Sequence, residues 1–229
     1  MPELAGPYVP PASPLEYDAA LHEIYAETAS ASAIKAENTL LIDVLGNPLD
    51  DAVLVGAANA IGAKCQSAVT KQLLKCERTK RKEYNKCEKA SLKNGLASEG
   101  LLESTCLMDG GNPASGQPDP KGLIDKQCEA KLTSTIGKSC FGQNLDTVFP
   151  GECTGAGSGF AGCLVDRIDC RLCQQLNEIN GLSRDCDLFD DGTANDSCRE
   201  ALPVCGDDIL DLPSEQCDDG NSVGGDCCS

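Results

Sequence analysis

Three evenly spaced cysteines constrain the fold of this chain more than any other feature. Cys65, Cys76 and Cys87 follow one another at steps of eleven residues, inside a charged segment with a helical pattern. In an α-helix eleven residues turn through roughly 1100°, about 20° past three full turns, and rise about 16 Å. The side chains therefore share one face but cannot bond to one another, because a disulfide needs Cα atoms within about 7 Å. Each must find a partner in another segment, or serve as a ligand or reactive thiol.

The cysteine count favours disulfides. Sixteen cysteines in a chain of 229 residues approach the level that is typical of disulfide scaffolds. The chain has only four phenylalanines and four tyrosines, and it lacks tryptophan. Its apolar core must therefore be thin, and such cores commonly rely on cross-links. An even count fits complete pairing in an oxidising compartment. We expect disulfides at Cys65, Cys76, Cys87, Cys106, Cys128, Cys140, Cys153, Cys163, Cys170, Cys173, Cys186, Cys198, Cys205, Cys217, Cys227 and Cys228.

Metal binding is the alternative role for the cysteines. The single histidine, His22, lies far from them, so a zinc site would have to consist of thiolates alone. The only C-x-x-C pair is Cys170 and Cys173, and no second pair completes a four-thiolate site. No C-x-x-C-H sequence is present, which excludes covalent haem on motif grounds. Disulfides remain the preferred interpretation.

Prolines, glycines and apolar periodicity divide the chain into five segments. The predicted class is mainly α, with a long helix stapled by disulfides to shorter helices and an irregular, acidic, disulfide-rich C-terminal module. The segments are an extended proline-rich arm (1–14), a helical segment (15–46), a long helix with a cysteine-stapled helical hairpin (47–140), a loop with a third helix and an acidic cysteine-rich turn (141–200), and a cysteine-rich repeat module (201–229).

The long helix is predicted to begin with Asn47 as N-cap and Pro48 in its first turn, and to end near Lys93 before Asn94-Gly95. Lys80 is the one interruption of its apolar stripe. That stripe comprises Leu54, Ala58, Ile61, Cys65, Val69, Leu73, Cys76, Tyr84 and Cys87, so the cysteines lie where a partner helix would pack. Further helices are predicted over 121–136, ending at Gly137, and over 163–180.

An antiparallel arrangement of the first two helices suggests a cysteine pairing. It would bring Cys87 towards Cys106. It would also bring Cys76 or Cys65 towards Cys128 and Cys140. Spacing alone does not fix the connectivity.

Charge is distributed unevenly along the chain, whose net charge is −17. Residues 1–60 hold nine acidic side chains and one basic one, and residues 185–229 hold thirteen and one. Most of the basic residues in 61–184 lie between Lys71 and Lys93, so a basic middle is flanked by acidic ends that could attract copies of the same chain. An ordinary solvated helix face is the alternative. The candidate self-association residues are Lys71, Lys75, Arg78, Lys80, Arg81 and Lys82.

An acidic cluster between Cys186 and Cys198 is a candidate calcium site. Oxygen ligands around a glycine turn suit a hard cation, and here they surround Gly192: Asp187, Asp190, Asp191, Asn195 and Asp196. The spacing differs from the twelve-residue calcium loop, because Phe189 takes the third position and Cys198 the twelfth. A solvated turn between bridged cysteines is the alternative. Asn195-Asp196-Ser197 is also a formal glycosylation sequon. No cofactor other than calcium is indicated.

The C-terminal segment from Cys205 to Ser229 carries Cys-Gly-Asp, Glu-Gln-Cys-Asp-Asp-Gly-Asn, Gly-Asp and a final Cys-Ser. This order resembles the Myxococcus-type cysteine-rich repeat of secreted bacterial proteins. Asp208 and Cys227 stand where the family has glycine. The resemblance covers this C-terminal segment alone and implies an extracellular, disulfide-built module. The region from Cys65 to Cys198 is more loosely similar to helical cysteine-rich regions that accompany this repeat.

Enzyme and nucleic-acid functions are disfavoured. We expect His22 to lie on the surface of a helix. A catalytic triad that depends on histidine is therefore not predicted. The glycine run at 155–159 lacks a following Lys-Ser/Thr, so no phosphate cradle is predicted. The basic helix has Tyr84 as its one interleaved aromatic residue, unlike a nucleic-acid surface. No run approaches the roughly 20 apolar residues of a membrane span.

The preferred interpretation is an extracellular or cell-surface structural protein that binds copies of itself, for example in a filament. The alternative is a monomeric secreted module that binds calcium, polysaccharide or a host surface. The start of the sequence has no basic segment followed by an apolar run, so we expect either that a signal peptide has been removed or that the start was trimmed.

Overall fold

A computed structural model describes residues 30, 32–95, 98–107, 119 and 121–199. These residues form helices and turns, and none of them lies in a β-strand. The predicted fold class, mainly α with a long helix tied by disulfides to shorter helices, is confirmed. The proline-rich arm, His22, the last four cysteines and the C-terminal repeat lie outside the described residues.

The helices follow in chain order. They are α1 (32–45), α2 (Leu49–Ala52), α3 (Ala60–Lys93), α4 (Glu99–Leu102), α5 (Leu123–Gln127), α6 (Glu129–Ser139), α7 (Leu145–Val148), α8 (Phe160–Asn180) and α9 (Cys186–Asp191). A π-helical turn, Glu103–Leu107, continues α4, and a 3₁₀ turn, Gly157–Gly159, precedes α8.

The start of the long helix differs from the prediction. Pro48, not Asn47, is an N-cap, and it caps only the short α2. The long helix α3 begins at Ala60, where the side chain of Asn59 accepts a hydrogen bond from the backbone N–H of Gly62. Asparagine is favoured at this position because its oxygen satisfies a donor that the helix leaves unpaired.

A side chain of α3 holds the segment before Asn59 out of the helix. Gln66 accepts a hydrogen bond from the backbone N–H of Leu54 and donates to the carbonyls of Ala52 and Val148. The predicted apolar stripe therefore starts later than Leu54. Ile61 is 61% exposed, whereas Cys65 is fully buried.

The second predicted helix is two helices. The chain breaks at Cys128, whose φ and ψ are −95° and −113°, and α6 then continues past Gly137 to Ser139. The amide of Gln72 in α3 donates to the carbonyl of Gln127 at this break. The third helix starts earlier than predicted, at Phe160, and ends before Gly181, whose φ is 62°. A glycine in this left-handed conformation is typical of a helix C-terminus.

Six disulfides join the twelve cysteines that the structure describes. They are Cys65–Cys140, Cys76–Cys128, Cys87–Cys106, Cys153–Cys163, Cys170–Cys198 and Cys173–Cys186. The first three answer the opening constraint, because the evenly spaced cysteines of α3 bond to the residue that follows α6, to the α5–α6 break and to the π-helical turn. Their partners are those that an antiparallel hairpin brings near.

The apolar core consists of two clusters that follow α3 and α8 side by side. The larger one includes Val69, Leu73 and Ile168, and the smaller one includes Tyr84 and Leu172. Between them along both helices lies a pair of oppositely charged residues in direct contact. This pair, Lys80 and Asp169, continues the buried faces of α3 and α8 across the gap.

Candidate self-association surface and acidic turn

Seven exposed cations form a row along α3. Steps of three and four residues keep them within about 80° of one another around the helix axis. They are Lys71, Lys75, Arg78, Lys82, Lys86, Lys89 and Lys93, which we call the basic ridge. The ridge is about 33 Å long, and its centre lies about 120° round the helix axis from the disulfide-bonded face of α3. It is therefore directed away from the core.

Most of the positive charge on the basic ridge has no opposite charge nearby among the described residues. Arg78 makes two hydrogen bonds of 3.1 Å with Glu37 of α1, and Lys86 lies 2.5 Å from Glu83. The other five ridge lysines form no ion pair with a residue that the structure describes. An uncompensated row of like charge attracts acidic surfaces and repels basic ones.

Two of the predicted self-association residues do not belong to this surface. Lys80 is buried against Asp169 and cannot contact another molecule, so its assignment to the surface is wrong. Arg81 is half-buried, with its guanidinium 3.4 Å from both Glu37 and Glu77. The remaining four predicted residues lie on the ridge. A signal for Lys80 was already present in the sequence, because a residue that interrupts an apolar stripe faces inward.

The acidic turn after α9 is built around Asp187. Its Oδ2 accepts hydrogen bonds from the backbone N–H groups of Asn195 and Asp196, and its Oδ1 accepts from the backbone N–H of Cys198 and the hydroxyl of Ser197. These N–H groups hold the pKa of Asp187 below its usual value. Asp187 therefore acts as an anchor that orders residues 195–198.

Three of the other four predicted calcium ligands also have side-chain partners within the protein. Asp190 binds Arg167 and the hydroxyl of Ser197, while Asp191 accepts from the N–H of Thr193 and the amide of Asn195. Asn195 in turn accepts from the N–H of Ser197. A calcium ion here would have to replace these bonds. A rise in melting temperature on calcium addition would show that it does.

One further group of potential ligand atoms occurs among the described residues. The sulfurs of Cys170 and Cys198 and a carboxylate oxygen of Asp190 lie within 4.8 Å of one another. The two sulfurs are bonded to each other, so they are not thiolates and cannot bind a metal as such. This group is a disulfide beside a carboxylate.

A polar layer that the sequence analysis did not predict lies between α1, α3 and α8. Arg171 forms two short hydrogen bonds with Asp43, and Lys80 binds Asp169. Glu77 is 2% exposed, and neither of its oxygens accepts a hydrogen bond from a described residue. Burial raises the pKa of Glu77 to about 7, against the attraction of Arg81.

Comparison with protein-family models, with curated proteins and with solved structures gives no match to this chain. No helix among the described residues is long and apolar enough to span a membrane. Six disulfides are typical of a protein that resides outside the reducing cytoplasm. A location outside the reducing cytoplasm is the one general conclusion about function that the fold supports directly.

Proposed function

We propose that this chain is an extracellular structural protein that self-associates, without catalytic activity, as a component of a cell-surface assembly or filament. The observation that carries the proposal is the basic ridge. Five lysines without an ion pair to any described residue stand in one row on a chain whose net charge is −17. A second copy of the chain offers an acidic surface for this row.

Candidate acidic contacts lie at the other end of the described chain. Asp185, Asp191 and Asp196 are exposed around the acidic turn, and further acidic residues follow in the sequence up to Asp226. A contact between the ridge of one copy and the acidic residues of the next joins two different patches. Contacts of this kind form rings if the rotation closes and open filaments if it does not.

An exposed aromatic residue favours a contact as well. Phe141 is 88% exposed, directly after the disulfide-bonded Cys140. The same disulfide brings this residue to the end of α3 at which Ile61 is 61% exposed. Covering such apolar surface stabilises an interface by about 25 cal/mol for each Å² removed from water.

Sedimentation velocity of a charge-reversed variant tests the role of the ridge. The variant carries Lys71→Glu, Lys75→Glu and Lys82→Glu. These changes make the ridge repel the acidic surface of another copy, and because the three positions are exposed, the core stays intact. We expect the wild type to sediment as large species at low ionic strength and to dissociate as salt screens the contact. The triple variant should sediment as a monomer at every salt concentration.

The matched control reverses three exposed lysines away from the ridge, with the same change in net charge. These are Lys121, Lys126 and Lys131, on and before α5 and α6. The control variant should assemble like the wild type. Equal assembly of both triple variants would refute the ridge as the contact. A wild type that is monomeric throughout, with stability that depends on calcium, would instead favour the secreted binding module.

A further inference from the structure

The six disulfides form two separate groups. Those at Cys65–Cys140, Cys76–Cys128 and Cys87–Cys106 all lie within residues 65–140. The other three lie within residues 153–198. Among the described residues no disulfide therefore joins α3 to α8, although the two helices pack against each other. Apart from non-covalent packing, the backbone between the two groups is their only described connection.

Lys80 and Asp169 meet between α3 and α8, at the gap between the two apolar clusters. The Nζ atom of Lys80 lies 2.5 Å from Oδ1 and 2.6 Å from Oδ2 of Asp169. The side chains are 3% and 2% exposed, respectively. The amine nitrogen is thus held against both oxygens of the carboxyl group, in a place from which water is excluded.

Burial disfavours the charged form of this pair. Taking two charges out of water costs several kcal/mol per ion, and this cost can exceed their mutual attraction. Burial raises the pKa of Asp169 to about 6 even though Lys80 lowers it, and the nearby carboxylate of Asp190 raises it further.

We propose that Lys80 and Asp169 condense to form an amide cross-link between α3 and α8. In this step one proton of Nζ passes to a carboxyl oxygen, and the lone pair then left on Nζ forms the bond to Cγ of Asp169. The bond from Cγ to one carboxyl oxygen breaks, and this oxygen leaves as water with its own proton and one proton from Nζ. No oxidant or other reactant is needed. The fold keeps the amine and the carboxyl group together, and such proximity raises the rate of a step whenever the reacting atoms align for attack.

The product suits its surroundings better than the reactants do. An amide carries no charge, so it removes the desolvation cost that the ion pair bears. It would also be the one covalent cross-link besides the backbone, among the described residues, between the two disulfide groups. The cross-link is independent of self-association, because it concerns the interior of a single copy.

Mass spectrometry of the folded full-length chain tests the cross-link. The sample is first shown to contain its six described disulfides and is then reduced and alkylated. We expect a mass lower than that of the sequence by one water molecule. Trypsin should leave the bond after Lys80 uncut and release one branched species that contains both Lys80 and Asp169.

A matched variant and a peptide map distinguish the cross-link from loss of water elsewhere in the chain. Lys80→Arg keeps the positive charge but lacks the amine, so its reduced chain should have the full mass. A succinimide at Asp191-Gly192 also loses water, but it remains within one linear peptide. Recovery of Lys80 and Asp169 in separate, unmodified peptides from the folded wild type would overturn the proposal, whatever the intact mass.

Discussion

At the scale of single residues, the main difference between the sequence analysis and the structure is that charged side chains are buried inside the protein. Lys80 interrupts an apolar stripe and Asp169 interrupts another in α8, and each is the other's partner. The interruption of α3 was visible in the sequence, but the partner was not. Asp169 is 89 residues away, and spacing along a helix says nothing about which other helix packs against it.

The candidate calcium residues have hydrogen-bond partners that the sequence did not reveal, for a related reason. Asp187 and Asp191 look like cation ligands because they cluster around a glycine, yet their oxygens accept hydrogen bonds from nearby N–H groups. Aspartate commonly binds its own backbone in turns. Composition does not distinguish an aspartate that binds a cation from one that binds backbone N–H groups.

Glu77→Gln should change how stability depends on pH. Glu77 faces Arg78 and Arg81 of its own helix and Glu37 of α1, and burial raises its pKa from 4.5 to about 7. Because the folded state binds the proton more tightly, the stabilisation is complete below the unfolded pKa and is lost as pH rises through about 7. The wild type should therefore lose roughly 2–3 kcal/mol between pH 5 and pH 8 relative to Glu77→Gln.

Urea denaturation at the two pH values measures this difference. Glu152→Gln, at an exposed position, is the control and should keep the pH dependence of the wild type. Parallel pH profiles for the wild type and Glu77→Gln would mean that Glu77 is not buried in this way.

At the scale of helices, the interiors were predictable and the ends were not. The stripe from Cys65 to Tyr84 follows the period of an α-helix, so the middle of α3 follows from the sequence. The ends depend on single hydrogen bonds from distant residues. Gln66 holds the segment before α3, and Gln72 binds the carbonyl of Gln127 where the second predicted helix breaks.

Gly151→Ala should strongly destabilise the junction between α1 and the segment before α8. A Cβ atom at Gly151 would lie 2.1 Å from the carbonyl oxygen of Asp43 and 2.7 Å from the carbonyl carbon of Val44. The backbone N–H of Glu152 donates to the same oxygen of Asp43, so the two segments cannot separate freely. We expect a loss of about 1–3 kcal/mol or more in the free energy of unfolding.

The control for this prediction is Gly162→Ala in α8. A Cβ atom there would meet nothing within 4 Å, and alanine favours a helix interior over glycine. This variant should be more stable than the wild type by about 0.5–1 kcal/mol. Thermal or chemical denaturation of both variants gives the comparison. A Gly151→Ala variant as stable as Gly162→Ala would contradict the close approach of the two segments.

At the scale of the whole molecule, disulfides and charge suit a protein that must persist outside the cell. The disulfides restrict the unfolded chain. The longest of the loops they close lies between Cys65 and Cys140, which are 75 residues apart. The general class of this fold was predictable because cysteine count and helical period are local properties. The division into two disulfide groups was not, since it depends on which cysteines pair.

The continuous basic ridge also emerges only at this scale. Its residues were visible as a basic run in the sequence. The structure separates the outward-facing Lys71, Lys75 and Lys82 from the buried Lys80 and the half-buried Arg81. A contact between copies can use only the former group, which is why the charge-reversal experiment leaves Lys80 and Arg81 unchanged.

Negative-stain electron microscopy of the full-length chain at low ionic strength tests the central claim most directly. Self-association predicts filaments or other regular assemblies much larger than one chain of 23.9 kDa. These assemblies should disperse as the salt concentration rises, because salt screens the contact between the ridge and the acidic residues. Uniform particles of the size of a single chain, at every protein and salt concentration, would contradict self-association.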